Sequence, residues 1–192
     1  MNFYIADLHF GHKNVLSFDS RPFKTIEEND NVIINNWNNV VGIDDDVYVL
    51  GDISWYNSTK TIEIFKQLNG NKHLIRGNHD TKVLKNPKMR EQFVEICDYK
   101  EITSDNGIGL VLSHYPIVAF KNHYRGWWHF YGHVHNTWEN DLIDEVKAVS
   151  ITRSGMPLNM INVGAMMPYI QYTPKTFTEI IEAYIEAYKE GE

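Results

Sequence analysis

Apolar residues come in short bursts along the first half of the chain, and each burst is closed by a polar or glycine-containing turn. Residues 2–6 ("NFYIA"), 46–51 ("DVYVLG") and 72–77 ("KHLIRG") are too short for helices and read as buried strands. Between them, Thr25 to Val41 and Thr59 to Leu68 carry apolar positions at helical spacing. In the first of these, Ile26, Ile33, Trp37 and Val40 fall on one side, and Thr25 with Glu28 can form a capping box. The second stops at Asn69-Gly70, where glycine suits a left-handed exit. The order strand, helix, strand, helix, strand predicts parallel strands joined by right-handed crossovers.

The rhythm changes after residue 100. Residues 108–113 ("IGLVLS"), 127–132 ("WWHFYG"), a weaker 145–151 ("EVKAVSI") and 158–164 ("LNMINVG") are strand candidates with short connections. They predict a second sheet that is mixed or antiparallel. The chain closes on a predicted helix boxed by Thr176 and Glu179. Its stripe of Phe177, Ile180, Ile181, Tyr184, Ile185 and Tyr188 is expected to pack on the core.

Composition adds bounds. With 192 residues, 43% of them apolar and 13% aromatic, the chain has the material for a folded core and reads as a single domain over 1–192. Cys97, in "FVEIC", is the lone cysteine, so no internal disulfide can form. It is expected to be an inert core thiol, and a reducing, cytoplasmic setting fits. The first segment has no basic start and meets Asp7, and no apolar run approaches the ~18–20 residues that span a bilayer, so neither a signal peptide nor a membrane is expected. A formal charge of −7 disfavours a nucleic-acid polymer as partner but leaves room for a small phosphate-bearing ligand. Monomer and homodimer are both compatible with this surface.

The chemistry lies at the strand ends. "NFYIA" runs into Asp7 and His9, "DVYVL" into Gly51-Asp52, and "HLIR" into Gly77-Asn78-His79-Asp80. "GLVLS" runs into His114, and "WHFY" into Gly132-His133-Val134-His135. Taken singly, an Asp-x-His or a Gly-Asp is weak, and a lone histidine is more often a satisfied core group. Their coincidence at the carboxyl ends of successive strands, where open α/β sheets bind ligands, points to a metal site. Asp7, His9, Asp52, Asn78, His114, His133 and His135 are too many donors for one ion of four to six ligands with an open position. Two ions sharing a carboxylate can use them. Imidazole and oxygen donors without thiolate suit manganese first, with iron, zinc or nickel as the other candidates.

With these motifs in order, the chain resembles the calcineurin-like metallophosphoesterase superfamily, whose D-x-H, G-D, G-N-H-D/E, H and G-H-x-H signature is matched by residues 7–9, 51–52, 77–80, 113–116 and 132–135. The resemblance implies an α/β fold, a four-layer α/β/β/α sandwich of two mixed sheets flanked by helices. It implies that Asp7, His9 and His135 hold one metal, that Asn78, His114 and His133 hold the other, and that Asp52 bridges them. His79 is then left over from metal binding as the acid or charge-stabilising residue, with Asp80 as its expected orienter. The activity it implies is hydrolysis of a phosphate ester by in-line attack of a metal-bridging hydroxide, without a serine or cysteine nucleophile.

Substrate selection is less marked. Arg21 and Arg125 are candidate substrate-binding residues, because a guanidinium can grip a phosphate bidentately; His123 and His12 are further candidates, His12 also as a group sitting beside the metals behind their direct ligands. Trp55, Tyr56, Arg76, Trp127 and Trp128 also lie near the motifs, the tryptophans more in the manner of strand packing than of base stacking. Short spacings between motifs leave little room for a lid, which favours a phosphodiester or nucleotide-like substrate over an enclosed monoester. A phosphomonoesterase or protein phosphatase, or a non-catalytic interaction module on the same fold, are the alternatives, and the unbroken ligand set argues against the last. A metallo-β-lactamase pattern would need aspartate and histidine where Thr137 and Trp138 stand.

Overall fold

The structure, a computed structural model, describes residues 1–189. Strand β1 (Asn2–Ile5) lies beside β2 (Asp46–Val49), which pairs with β3 (Asn71–Ile75), and that with β4 (Glu95–Cys97), all parallel. A two-residue strand later in the chain, Lys175–Thr176, adds antiparallel to β1 and makes this sheet mixed. In the second sheet β5 (Tyr99–Thr103) is antiparallel to β6 (Gly109–Ser113). The remaining pairs, β6 with β7 (Trp128–Tyr131) and β7 with β8 (Met160–Asn162), are parallel. The two-residue strand is β9. The result is the expected pair of mixed sheets flanked by helices.

Alternation along the second sheet explains why both its faces are covered. Leu110, Leu112, Phe130 and Ile161 point toward the first sheet and join its core with Phe3, Tyr4, Ile5, Val47 and Val49. Tyr4 meets Phe130 edge-on across the gap, with ring centroids 5.2 Å apart. Val111, Tyr131 and Met160 point the other way and pack with Phe120 and Val134. In the first sheet, β1 to β3 are buried through their carboxyl halves, as parallel strands covered on both faces must be.

The helices follow their caps. Besides a short first turn α1 (Val15–Phe18), helix α2 (Ile26–Val40) starts at Thr25, whose hydroxyl accepts the Glu28 N–H at 3.1 Å. Glu28 reaches back one residue further than a capping box requires, to the Lys24 N–H at 2.8 Å. Ile26, Ile33 and Trp37 are buried, but Val40 is exposed where the helix ends. Helix α3 (Ser58–Phe65) is capped by Asn57, and a four-residue α4 (Pro87–Arg90) leads into β4. The weak strand expected at 145–151 does not form. Those residues lie inside α5 (Trp138–Ser154), opened by a Thr137 cap and closed by Gly155 in the left-handed region. The final helix α6 (Phe177–Lys189) buries Phe177 and Ile180, while Ile185 and Tyr188 stay exposed at its far end. Cys97 is only half-buried in β4, and burial raises its thiol pKa. Among the described residues no helix is long and apolar enough to cross a membrane.

One buried histidine sets a pH limit. His129 of β7 is fully enclosed, with Nδ1 3.1 Å from the Val111 carbonyl and Nε2 accepting the Ile117 N–H at 3.0 Å. Burial lowers its pKa from 6.5 to about 4. The unfolded chain therefore binds a proton that the folded chain refuses, so the stability present above the unfolded value is lost as pH falls toward the folded one, by up to about 3 kcal/mol. His129→Gln can keep one donor and one acceptor and should flatten this acid slope in denaturant titrations between neutral pH and about 4. Parallel stability–pH curves for the two proteins would contradict the assignment.

Candidate metal centre

The strands that run into the motifs are parallel within each sheet, β1 to β3 in one and β6 with β7 in the other. Their carboxyl ends share an edge, and the loops continue the pairing past the strands. The Asp7 N–H donates to the Gly51 carbonyl (3.1 Å), His9 to Asp52 (3.0 Å), Phe10 to Ile53 (3.1 Å), and Trp55 back to Phe10 (2.8 Å). Gly132 is tied to His114 in the same way at 3.0 Å. Gly51 sits at φ +82°, and a Cβ there would lie 2.6 Å from the Gly77 Cα, so the two turns approach only because both are glycine.

Asp7, His9, Asp52, His133 and His135 hold left-handed backbone, with φ between 50° and 70°; among the described residues they are five of the nine non-glycine residues that do. Each such residue costs about 1–2 kcal/mol. Strain concentrated on candidate ligands marks a site for which the fold gives up stability to aim side chains.

The aimed atoms meet. Asp7, His9 and His135 each offer a ligand atom within 4.8 Å of the others, and so do Asp7, Asp52 and His114. Asp52 stands between, with Oδ2 3.8 Å from His9 Nε2 and Oδ1 3.7 Å from His114 Nε2. Asn78 Oδ1 lies 2.9 Å from His114 Nε2 and 3.1 Å from His133 Nδ1. All seven expected ligands therefore gather in one cluster, in which Asp7 Oδ1 also lies 3.9 Å from His114 Nδ1.

Asp7 Oδ1 and His9 Nε2 are buried without any partner. His114 Nδ1 is 2.8 Å from the Leu50 carbonyl and so carries the proton, which leaves a lone pair on Nε2 facing the Asn78 oxygen. His135 likewise gives Nδ1 to Asp19 Oδ1 at 2.8 Å. Acceptors without donors, with imidazoles oriented from behind, are what divalent cations require. The residues present fit such ions.

Burial dominates the electrostatics of the bare protein. It raises the carboxyl pKa of Asp7 against the pull of His135 and His114, and that of Asp52 against His114. It drives His9 well below the usual imidazole value and lowers His133. His135 goes the other way. Burial pulls it down, but the Asp19 hydrogen bond and the Asp7 carboxylate outweigh that and raise it. Bound cations would favour ionised carboxylates and neutral imidazoles throughout.

Several expectations need correction. Asp80 does not orient His79: its buried carboxylate accepts the N–H groups of Gly77 (2.7 Å), Ile53 (2.9 Å) and Asp52 (3.1 Å), bolting the second and third motif turns together. The His79 side chain is half-exposed, its Nε2 4.0 Å from Asp52 Oδ2 and its ring 4.3 Å from that of Trp55. Arg21 does not face a substrate. Its buried guanidinium donates to Asp19, to Asn29 and to the Leu8 and Asp7 carbonyls, because it serves as a strut behind the first motif. His123 lines a groove with Val146, Val149 and Arg153, apart from all seven ligands, and Arg125 lies exposed over the Tyr124 ring. Arg76 is paired bidentately with Asp98. His12 does reach the centre, 3.2 Å from His9. Asp19, which holds His135, was not foreseen. Its signal was a carboxylate two residues ahead of an arginine in "FDSRPF", a pattern with meaning only once His135 folds over it.

The chain belongs to the calcineurin-like phosphoesterase family, whose profile matches residues 3–159. That membership makes it a metal-binding hydrolase of phosphoesters by class. An uncharacterized protein of Methanocaldococcus jannaschii is 37% identical over 135 residues, which is 69% of this chain and 68% of that protein. The Gene 66 protein of Mycobacterium phage L5 is 38% identical over 80 residues, covering 40% of this chain and 38% of its own length. The crystal structure of a protein of unknown function from Aquifex aeolicus is similar with a TM-score of 0.69 at 27% identity, over 95% of this chain and 98% of that one.

Asp80→Ala would strand three buried N–H groups, each costing about 1–3 kcal/mol unsatisfied. Denaturant unfolding of the metal-free protein should show a loss of about 3 kcal/mol or more, and Asp80→Asn, which keeps an acceptor, should lose less. A loss under about 1 kcal/mol in the alanine variant would contradict the bolting role.

Proposed function

We propose that this chain is a dinuclear metal-dependent phosphodiesterase that hydrolyses a P–O ester bond of small, nucleotide-like phosphodiesters by in-line attack of water. The observation that carries the reading is the orphaned pair Asp7 Oδ1 and His9 Nε2, buried within a ring of acceptors from five strand ends. Asp7, His9 and His135 would hold one divalent ion and Asn78, His114 and His133 the other, with Asp52 between. Manganese is the preferred metal, and iron, zinc and nickel are compatible with the same donors. When bound, the two ions supply an acidified water and neutralise charge on the phosphoryl oxygens.

The remaining work falls to side chains. His79 is anchored through its backbone, whose N–H donates to Asp52 Oδ1 at 3.0 Å, while its half-exposed ring stays open to solvent with Nε2 4.0 Å from Asp52 Oδ2. It protonates the leaving oxygen or stabilises its charge. Asp19 and the Leu50 carbonyl keep His135 and His114 in the tautomers that leave Nε2 free. Beside His79 a cavity of ≈ 280 Å³, lined by Trp55, Tyr56, Thr81 and Lys82 among others, has room for the leaving alcohol. The preference for a diester rests on Arg21: its guanidinium is used internally, so the dianionic phosphate of a monoester lacks that partner, and a monoanionic diester asks for less positive charge.

Manganese-loaded protein should hydrolyse bis-p-nitrophenyl phosphate faster than p-nitrophenyl phosphate. Asp52→Ala and His79→Ala should each lower kcat about 100-fold or more. Unchanged turnover in both variants would sink the proposal, and a monoester preference would overturn the diesterase half alone.

A further inference from the structure

Each metal-binding imidazole needs an acceptor for the ring nitrogen it does not use on the metal. His114 has the Leu50 carbonyl and His135 has Asp19. His9 has neither a carbonyl nor a carboxylate there. With Nε2 orphaned toward the centre, its Nδ1 faces another imidazole, His12 Nδ1, at 3.2 Å.

From this contact we infer that His12 is the positioning residue that makes His9 a metal ligand: a neutral imidazole whose Nδ1 accepts the His9 Nδ1–H. The inference rests on reading the cluster as a metal centre. The alternative tautomer pair, with His12 donating, would put a proton on His9 Nε2 and turn it toward Asp52, where it cannot ligate. The acceptor role therefore also requires His12 to carry its own hydrogen on Nε2.

The local chain is built to hold this contact. Gly11, at φ +76°, turns the backbone so that the His12 N–H bonds the His9 carbonyl at 3.0 Å, which folds the second ring over the first. A Cβ at Gly11 would lie 2.7 Å from the Tyr56 ring, so the tight turn also depends on glycine. The Gly11 N–H is in turn fixed by buried Asp30 at 3.1 Å. On the open side Trp55 stacks on His12 with centroids 3.9 Å apart and planes within 2°, and it also covers His9 at 4.7 Å. Trp55 is carried by the loop zipped to Phe10, so its indole is a fixed wall that sets the plane of the acceptor. Trp55 thus serves His12 and His9 by stacking, and His79 by contact.

The test compares wild type, His12→Phe and His12→Gln in calorimetric titration with Mn²⁺ or Zn²⁺, without any substrate. Phenylalanine keeps the stack on Trp55 but accepts nothing, whereas glutamine offers an oxygen without the ring. His12→Phe should weaken one of the two binding events about 10–100-fold, as loss of an outer partner does elsewhere, and His12→Gln should recover a substantial part of it. Nitrogen-15 spectra of the metal-free wild type should show His9 protonated at Nδ1 and His12 at Nε2, a readout that holds even where a variant fails to fold. Wild-type affinity in His12→Phe, equal weakness in the two variants, or the reversed tautomers would overturn the role of His12 alone. A wild type that takes up no ion would overturn the metal centre, and this role with it.

Discussion

The structure is governed by an imbalance of hydrogen-bond chemistry in a small buried volume. Two carboxylates, an amide oxygen and four imidazoles point at common ground, yet the available donors are used from behind or from the backbone. The His133 N–H reaches Asp7 Oδ2 at 3.0 Å and the His79 N–H reaches Asp52 Oδ1, leaving Asp7 Oδ1 with nothing. Burying such a set without positive charge is unfavourable, which is why burial raises the carboxyls and depresses His9. Bound divalent cations would restore the balance, and the same positive charge is what a phosphoryl group needs as it is displaced.

Around that centre the protein invests heavily in rigidity. Left-handed backbone at Asp7, His9, Asp52, His133 and His135 is a repeated local cost, offset by hydrogen bonds that zip the loops together. Buried charged groups that look like chemistry turn out to be struts. Asp80 binds three backbone N–H groups, and the Asp19–Arg21 pair links His135 to the backbone behind Asp7 and Leu8. Side chains left open beside the centre, His79 and Trp55 together with Phe18 and Tyr115, can meet a substrate. Function is thus divided between a stiff cage and a more accessible rim.

Much of the cage could be read from the sequence because parallel strands deliver their next residues to one edge. A run such as "DVYVL" followed by Gly51-Asp52 carries its geometry with it. What could not be read were pairings made across distance. Asp19 meets His135 from 116 residues away, and no local pattern announces that contact. Asp80 and Arg21 were assigned to catalysis and substrate because their residue types suit those tasks, but burial gave them structural ones. The weak strand at 145–151 failed for another reason. Its β-branched residues mimic a strand, but α5 is exposed along most of its length and so lacks the amphipathic period that identifies a helix. The short edge strands β4 and β5 were missed because half-buried edges blur the pattern: "FVEIC" is an apolar run whose Val94 ends up exposed, and β5 alternates between half-buried and exposed positions.

The central claim is that the acceptor ring exists to hold a pair of cations. Anomalous diffraction from crystals grown with manganese tests it most directly. The account predicts two peaks roughly 3.5–4 Å apart, one contacted by Asp7, His9 and His135, the other by Asn78, His114 and His133, with Asp52 touching both. Absence of both peaks at saturating manganese, or ions bound only elsewhere on the chain, would contradict it.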